Sequence, residues 1–201
     1  MCGRVYMAPA NPELRELVKE MNRSRLAERF RKRPEDMLTA EGEIFPSAVL
    51  PVLASSRTGE QHVFPMKWGF GGGKGLLINA RAETAAEKPT FREAWAKHRC
   101  AIPASWYFEW EHDEKKRAGQ KYALKPEGED LIWLAGLYRM EGELPVFVIL
   151  TRPADERLAW MHDRMPVMLP KASVGEWIRP DGQPAPIVQN SLTRVRWEQA
   201  I

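Results

Sequence analysis

The run Val146-Phe147-Val148-Ile149-Leu150 constrains this chain more than any other stretch. Five consecutive apolar residues without polar alternation form a strand that must be covered on both faces. Shorter apolar runs, broken by glycine and proline, begin at Val63. They predict strands at Val63–Trp68, Leu76–Asn79, Trp106–Glu109, Tyr122–Leu124, Leu131–Leu137 and Val146–Thr151. Asn11 to Met21 predicts a helix: Asn11 can cap it, Pro12 fits its first position, and Leu14, Leu17, Val18 and Met21 share one face. Residues 23–37, dense in Arg and Glu, extend a helical, solvated region. Thr90-Phe91-Arg92-Glu93 reads as a capping box opening a helix through Ala96. Ala154 to Met161 reads as a further short helix, with Asp155 and Glu156 in its first turn. Strands and helices do not alternate regularly. The expectation is therefore an α+β fold, one domain over residues 1–201, with a mostly antiparallel or mixed sheet core and flanking helices.

A length of 201 residues with 44% hydrophobic content suffices for one such core. The net charge of +3 is compatible with a polyanionic partner and does not require one. Two cysteines, Cys2 and Cys100, make no disulfide framework and suit a reducing compartment. No stretch approaches the ~20 apolar residues of a membrane span, and the first residues carry no signal-peptide run. A soluble, cytoplasmic monomer is expected, nucleoid-associated if the host is bacterial. His98-x-Cys100 makes no zinc pattern. Gly71-Gly72-Gly73-Lys74-Gly75 lacks the phosphate-loop spacing and reads as a flexible hairpin turn. Neither a metal nor another cofactor is expected.

Four short segments concentrate the unusual polar residues: Met1-Cys2-Gly3-Arg4, Asn79-Ala80-Arg81-Ala82-Glu83-Thr84, Trp106-Tyr107-Phe108-Glu109-Trp110, and His162-Asp163-Arg164-Met165-Pro166-Val167. Removal of Met1 would leave Cys2 with an α-amine and a thiol on adjacent carbons, titrating near ~8 and ~8.5 when unperturbed. Such a pair condenses with an aldehyde, and the thiol then closes on the imine to give a five-membered thiazolidine. The plain alternative is a small residue near a frayed terminus. Glu109 among aromatics is either a desolvated acid with a raised pKa or a carboxylate facing water or an arginine. His162 has the titration range of a proton shuttle, or else bonds carbonyls at a helix end. Asn79 could orient the amine or a sugar, or form a turn. Arg4 and Arg81 could hold phosphates or make internal ion pairs. The chain has eight tryptophans; most serve packing, but Trp68 and Trp106 lie beside polar motifs and suit base stacking.

In this order, with Phe91-Arg92, Arg99-Cys100, Pro103-Ala104 and Ala135-Gly136-Leu137 between them, these segments resemble the SOS-response-associated peptidase (SRAP) family of abasic-site processing proteins. The resemblance runs from residue 2 to about residue 178. It implies a sensor of abasic sites in single-stranded DNA, in which mature Cys2 captures the ring-opened sugar as a thiazolidine crosslink that shields the site. By motif position it implies that Asn79 positions the amine and sugar, and that Glu109 shuttles protons. His162 would assist acid–base steps and reversal. Arg4 and Arg81 would hold phosphates, and Trp68 would pack against the DNA beside the lesion. The family is also described as a peptidase because Met1 must be removed. Two other readings are open: a cysteine-type peptidase using Cys2 and His162, and a non-covalent single-strand binding module. Where the family carries a Tyr-Asn pair, this chain reads Glu43-Ile44-Phe45-Pro46-Ser47. After Trp68-Gly69 it has Phe70 and the glycine-rich turn.

Overall fold

The computed structural model describes residues 2–36, 38–39, 41–56, 58–72, 75–112 and 118–200. Met1, and Gly73 and Lys74 of the glycine-rich turn, lie outside them. In chain order the strands are β1 (Val5–Met7), β2 (Gly42–Ile44), β3 (Val49–Ser55), β4 (Gln61–Trp68), β5 (Asn79–Arg81), β6 (Arg99–Ala104), β7 (Trp106–His112), β8 (Ala118–Pro126), β9 (Ile132–Glu141), β10 (Leu144–Pro153), β11 (Arg164–Pro166), β12 (Met168–Leu169) and β13 (Val195–Gln199). The helices are α1 (Pro12–Arg23), α2 (Arg25–Arg31), α3 (Ala82–Ala85), α4 (Arg92–Lys97), α5 (Val174–Ile178) and α6 (Pro184–Gln189). The fold is α+β.

Five strands close on themselves. β10 pairs β4, β4 pairs β3, β3 pairs β6, β6 pairs β9, and β9 returns to β10. Closure leaves no free edge between these strands and encloses an apolar interior. Residues 144–151 of β10 are all buried, as the unalternating Val146–Leu150 run requires. The wall is tight at Gly136, where a Cβ would lie 2.5 Å from Ile102 Cδ1 and 2.9 Å from the Val148 carbonyl oxygen. Most pairings are antiparallel, but β4 and β5 run parallel to β10.

The second sheet has the order β13-β8-β7-β1-β2. The chain passes into it directly from barrel strand β6 at buried Ser105. The Ser105 N–H donates to the Tyr6 carbonyl at 2.8 Å, and its hydroxyl accepts from the Ala8 N–H at 2.9 Å. One continuous core unites the two sheets, with Cys2, Val5 and Tyr107 from one and Leu134, Phe147 and Ile149 from the other.

The Asn11 cap forms as expected, its Oδ1 accepting from the Leu14 N–H at 3.0 Å. Four expectations change. The strand predicted at Leu76–Asn79 lies instead at Asn79–Arg81, and Leu77 makes only an isolated bridge to Phe70. Among the described residues of 23–37, helix covers only Arg23, the last residue of α1, and Arg25–Arg31; residue 37 lies outside the described residues. The Thr90 capping box does not form: the Phe91 and Arg92 N–H groups already donate to the Lys88 carbonyl, and Phe91 occupies the N-cap without a side-chain bond. The Ala154–Met161 helix shrinks to one 3₁₀ turn, Glu156–Leu158, capped by Asp155. That stretch only links the paired strands β10 and β11, and its Ala154 N–H already bonds the Asp163 carbonyl.

Candidate active site

Two of the four polar segments meet across β1 and β7. Val5 faces Tyr107 and Tyr6 faces Trp106, and the Phe108 N–H donates to the Arg4 carbonyl at 3.0 Å, carrying the ladder toward the terminus. Tyr107 and Glu109 are two residues apart on a strand and so share one face; both are buried, and Cys2 is fully buried. The Cys2 thiol is pushed up to about 12, first by burial and then by the Glu109 charge, while the Arg4 backbone N–H pulls it the other way. Burial also pushes Tyr107 well above its usual value, with Cys2 and Glu109 adding to it. Cys2, Tyr107 and Glu109 are therefore electrostatically coupled within one desolvated space. Tyr107 carries no signal in the sequence beyond its place in the motif.

The other two segments meet at the end of β10, where Thr151 stands between Arg81 of β5 and Pro166 of β11. Asn79 lies beside Ile149 and donates from Nδ2 to its carbonyl at 3.4 Å. The Asn79 Oδ1 is buried and accepts no hydrogen bond among the described residues. Arg164 clamps the junction. Its Nη2 donates to the Thr151 carbonyl at 2.8 Å and to Glu83 Oε2 at 2.8 Å, and its Nη1 bonds Glu83 Oε1. This fork holds the Glu83 carboxyl below its ordinary range.

His162 is mostly buried. Its Nδ1 accepts from the Arg164 N–H at 2.9 Å and lies 2.8 Å from Asp163 Oδ1. The first contact needs a bare Nδ1 and the second a protonated one, so the two are alternatives for the same nitrogen. Ala80, Met161 and Met165, next to these residues in the chain, belong to the same continuous core as Cys2.

The arginines differ in surroundings. Arg4 pairs with Glu43 at 2.8 Å and lies over Phe45 and Trp110 at 4.0 and 5.0 Å. Lys121 also reaches Glu43 at 2.8 Å. Burial pushes the Glu43 carboxyl up, but these two hydrogen bonds outweigh it and hold it low. The role of Glu43 had no signal in spacing, because its partners are 39 and 78 residues away. Arg81 is exposed at the start of α3.

Trp68 is not at a surface. It is fully buried, stacked on Phe147 at 6.1 Å, with Nε1 donating to the Ile78 carbonyl at 3.0 Å. The expectation that it packs against DNA is not met in this arrangement, because the indole faces only protein. Trp106 is half-buried and stacks on Tyr6 at 4.5 Å. Cys2 and Cys100 are both free and buried. No helix among the described residues is long and apolar enough to cross a membrane, and no cluster of three or more His, Cys, Asp or Glu among them is arranged to hold a metal.

The arrangement is a small closed barrel with a second sheet, in which buried Cys2 lies just before β1 and buried Glu109 lies on the neighbouring β7. Residues 1–200 match the family described as SOS response associated peptidase (SRAP), and the chain belongs to that family. The abasic site processing protein YobE of Bacillus subtilis is 38% identical over 122 residues, 58% of this chain and 55% of that protein. The abasic site processing protein YedK of Escherichia coli is 33% identical over 135 residues, 64% of this chain and 60% of that protein. The chain thus matches little more than half the length of these curated relatives. A crystal structure of a protein from Bacteroides thetaiotaomicron shares the fold with a TM-score of 0.73 at 22% identity, covering 100% of this chain and 92% of that one.

Proposed function

We propose that this chain processes abasic sites in single-stranded DNA by capturing them covalently through Cys2 after Met1 is removed. The observation that carries the reading is the placement of Cys2, fully buried and coupled to Glu109 and Tyr107. Family membership supports it, as does the name abasic site processing protein borne by the curated relatives.

The abasic sugar opens to an aldehyde. The Cys2 amine adds to its carbonyl carbon, one water leaves, and a C=N bond forms. The thiol sulfur then bonds that carbon while its proton passes to the nitrogen, closing the thiazolidine. One water is lost overall, and no oxidant or reductant is needed. Burial keeps the thiol protonated at neutral pH, so the amine acts first and the sulfur follows when a base removes its proton. Glu109 serves as that base and returns the proton to nitrogen. Asn79 Oδ1, a buried acceptor with capacity to spare, orients the amine. His162 assists loss of water and the reverse reaction. Arg81 meets a phosphate from the surface, and Arg4 does so by exchanging Glu43 for it. A cysteine-type peptidase would need a thiolate at Cys2, which burial opposes.

The test is incubation of the Met1-processed protein with an abasic oligonucleotide, followed by denaturing electrophoresis and intact mass. The expected product survives denaturation and weighs the sum of the two less one water. Cys2→Ala should give none; an adduct of that mass in the variant would sink the mechanism.

A further inference from the structure

Arg4 and Lys121 converge on one carboxylate beside the candidate site. Arg4 Nη1 donates to Glu43 Oε1 and Lys121 Nζ donates to Glu43 Oε2, each at 2.8 Å. Arg4 lies two residues after Cys2, and Lys121 stands directly opposite Trp110, the neighbour of Glu109. Aromatic rings hold both positive heads in place. Arg4 Cζ lies 4.0 Å from the Phe45 ring centroid and 5.0 Å from that of Trp110. Lys121 Nζ lies 4.1 Å from Phe108 and 5.8 Å from the same Trp110. The shared indole keeps the two cations together although like charges repel, and an anion between them offsets that repulsion.

Glu43 fills that place with one oxygen for each cation. Arg4 uses Nη1 alone, so most of its five-donor fork stays unengaged among the described residues. All three side chains are part-exposed, so a ligand reaches them without opening the core. Burial raises the Glu43 carboxyl, but its two hydrogen bonds outweigh that and hold it below its ordinary range. Protonation near neutral pH therefore does not clear the site, and another anion must displace the carboxylate. A phosphodiester offers two non-bridging oxygens and one negative charge, the same pattern that the carboxylate presents to the two cations.

We propose that Lys121 is a second phosphate-binding cation beside Arg4, and that Glu43 is a built-in competitor that occupies their site until a phosphodiester of the DNA strand displaces it. The inference rests on the single-stranded DNA reading above, but its test needs no covalent chemistry. In a Cys2→Ala background, binding of an intact fluorescein-labelled oligothymidylate is followed by anisotropy over a range of salt, with thermal midpoints to confirm folding. Glu43→Gln keeps the shape and removes the competing charge. It should tighten binding about fivefold and steepen the slope of log affinity against log salt by about 0.7. Lys121→Met keeps the stem over the rings, and should weaken binding about fivefold and lower the slope by about 0.7. Lys121→Arg should retain the affinity. Glu143→Gln, which removes a negative charge at the β9–β10 turn of the barrel, should change affinity by less than about twofold. Unchanged or weaker binding by folded Glu43→Gln would show a carboxylate that only props the two cations, and overturns the proposal. An equal gain from Glu143→Gln overturns it too, as a general charge effect. An unaltered salt slope in Lys121→Met overturns it without reference to Glu43. Tighter binding by Glu43→Gln in a protein whose Cys2 never crosslinks to abasic DNA would support the phosphate site and defeat the capture reaction. Crosslinking by a protein whose Glu43→Gln variant binds no tighter would do the reverse.

Discussion

The closed barrel and the five-stranded sheet place the same side-chain types in opposite surroundings. In the barrel, Trp68 is fully buried and its Nε1 bonds a carbonyl of the fold. On the sheet edge, Trp197 presents 42% of its surface to solvent. Arg99 of barrel strand β6 is buried, and its guanidinium donates to the carbonyls of Trp95, Ala96, Trp177, Arg179 and Gly182, tying the ends of α4 and α5 together. Arg4, just before the sheet strand β1, is part-exposed and has one carboxylate and two aromatic faces. In the closed ring Trp68 and Arg99 find their partners within the fold, and both become structural. An open sheet can keep such groups within reach of a partner.

The widest expected gap lies between Trp68 and the exposed indoles. Trp68→Ala should cost about 3–5 kcal/mol in chemical denaturation, as large-to-small core changes do. A loss below about 1 kcal/mol would show that Trp68 is free to leave the core, and the contrast between the regions would collapse. Next comes Glu109→Gln, which should slow crosslinking about a hundredfold while the fold and binding of intact DNA persist. The same change removes the charge that, after burial, raises the Cys2 thiol, so Cys2 should alkylate faster at pH 9. Unaltered crosslinking kinetics would remove Glu109 from the chemistry.

The last prediction concerns pH. Cys2, Cys100 and Tyr107 are all raised by burial. A group whose folded pKa exceeds its unfolded value contributes stability that is complete below the unfolded pKa, near ~8.5 for a thiol. It is lost as pH rises toward the folded pKa, about 12 for Cys2. Stability should therefore fall above pH ~9 by about 1.4 kcal/mol per pH unit for each buried thiol. Denaturation midpoints at pH 8, 9.5 and 10.5 measure this, and Cys2→Ser should flatten the decline. A level profile in the unmodified chain would contradict the desolvated placement of Cys2.

Much of the fold was legible where local chemistry and tertiary packing agree. The α1 cap and its apolar face were plain from Asn11, Pro12 and the leucine spacing, and the buried strand β10 from its unbroken apolar run. Strands β3 and β6 gave no local signal. Each contains a proline, and Pro51 stands directly opposite Pro65 of β4, where strand propensity is lowest. Their pairing comes from closing the ring, a non-local event.

The sequence by itself determined which residues were candidates: Cys2 behind Met1, Glu109 among aromatics, Asn79 after an apolar run and His162 after an expected helix. Residue type and chain position carry reactivity, and both are visible in one dimension. Only the tertiary structure decided what each candidate faces. It buried Cys2 within electrostatic reach of Glu109 and Tyr107, put Trp68 inside the core, paired Arg4 with Glu43 and locked Arg164 onto Glu83. These outcomes depend on desolvation and on partners up to 81 residues away in the chain, quantities that exist only once the strands have closed.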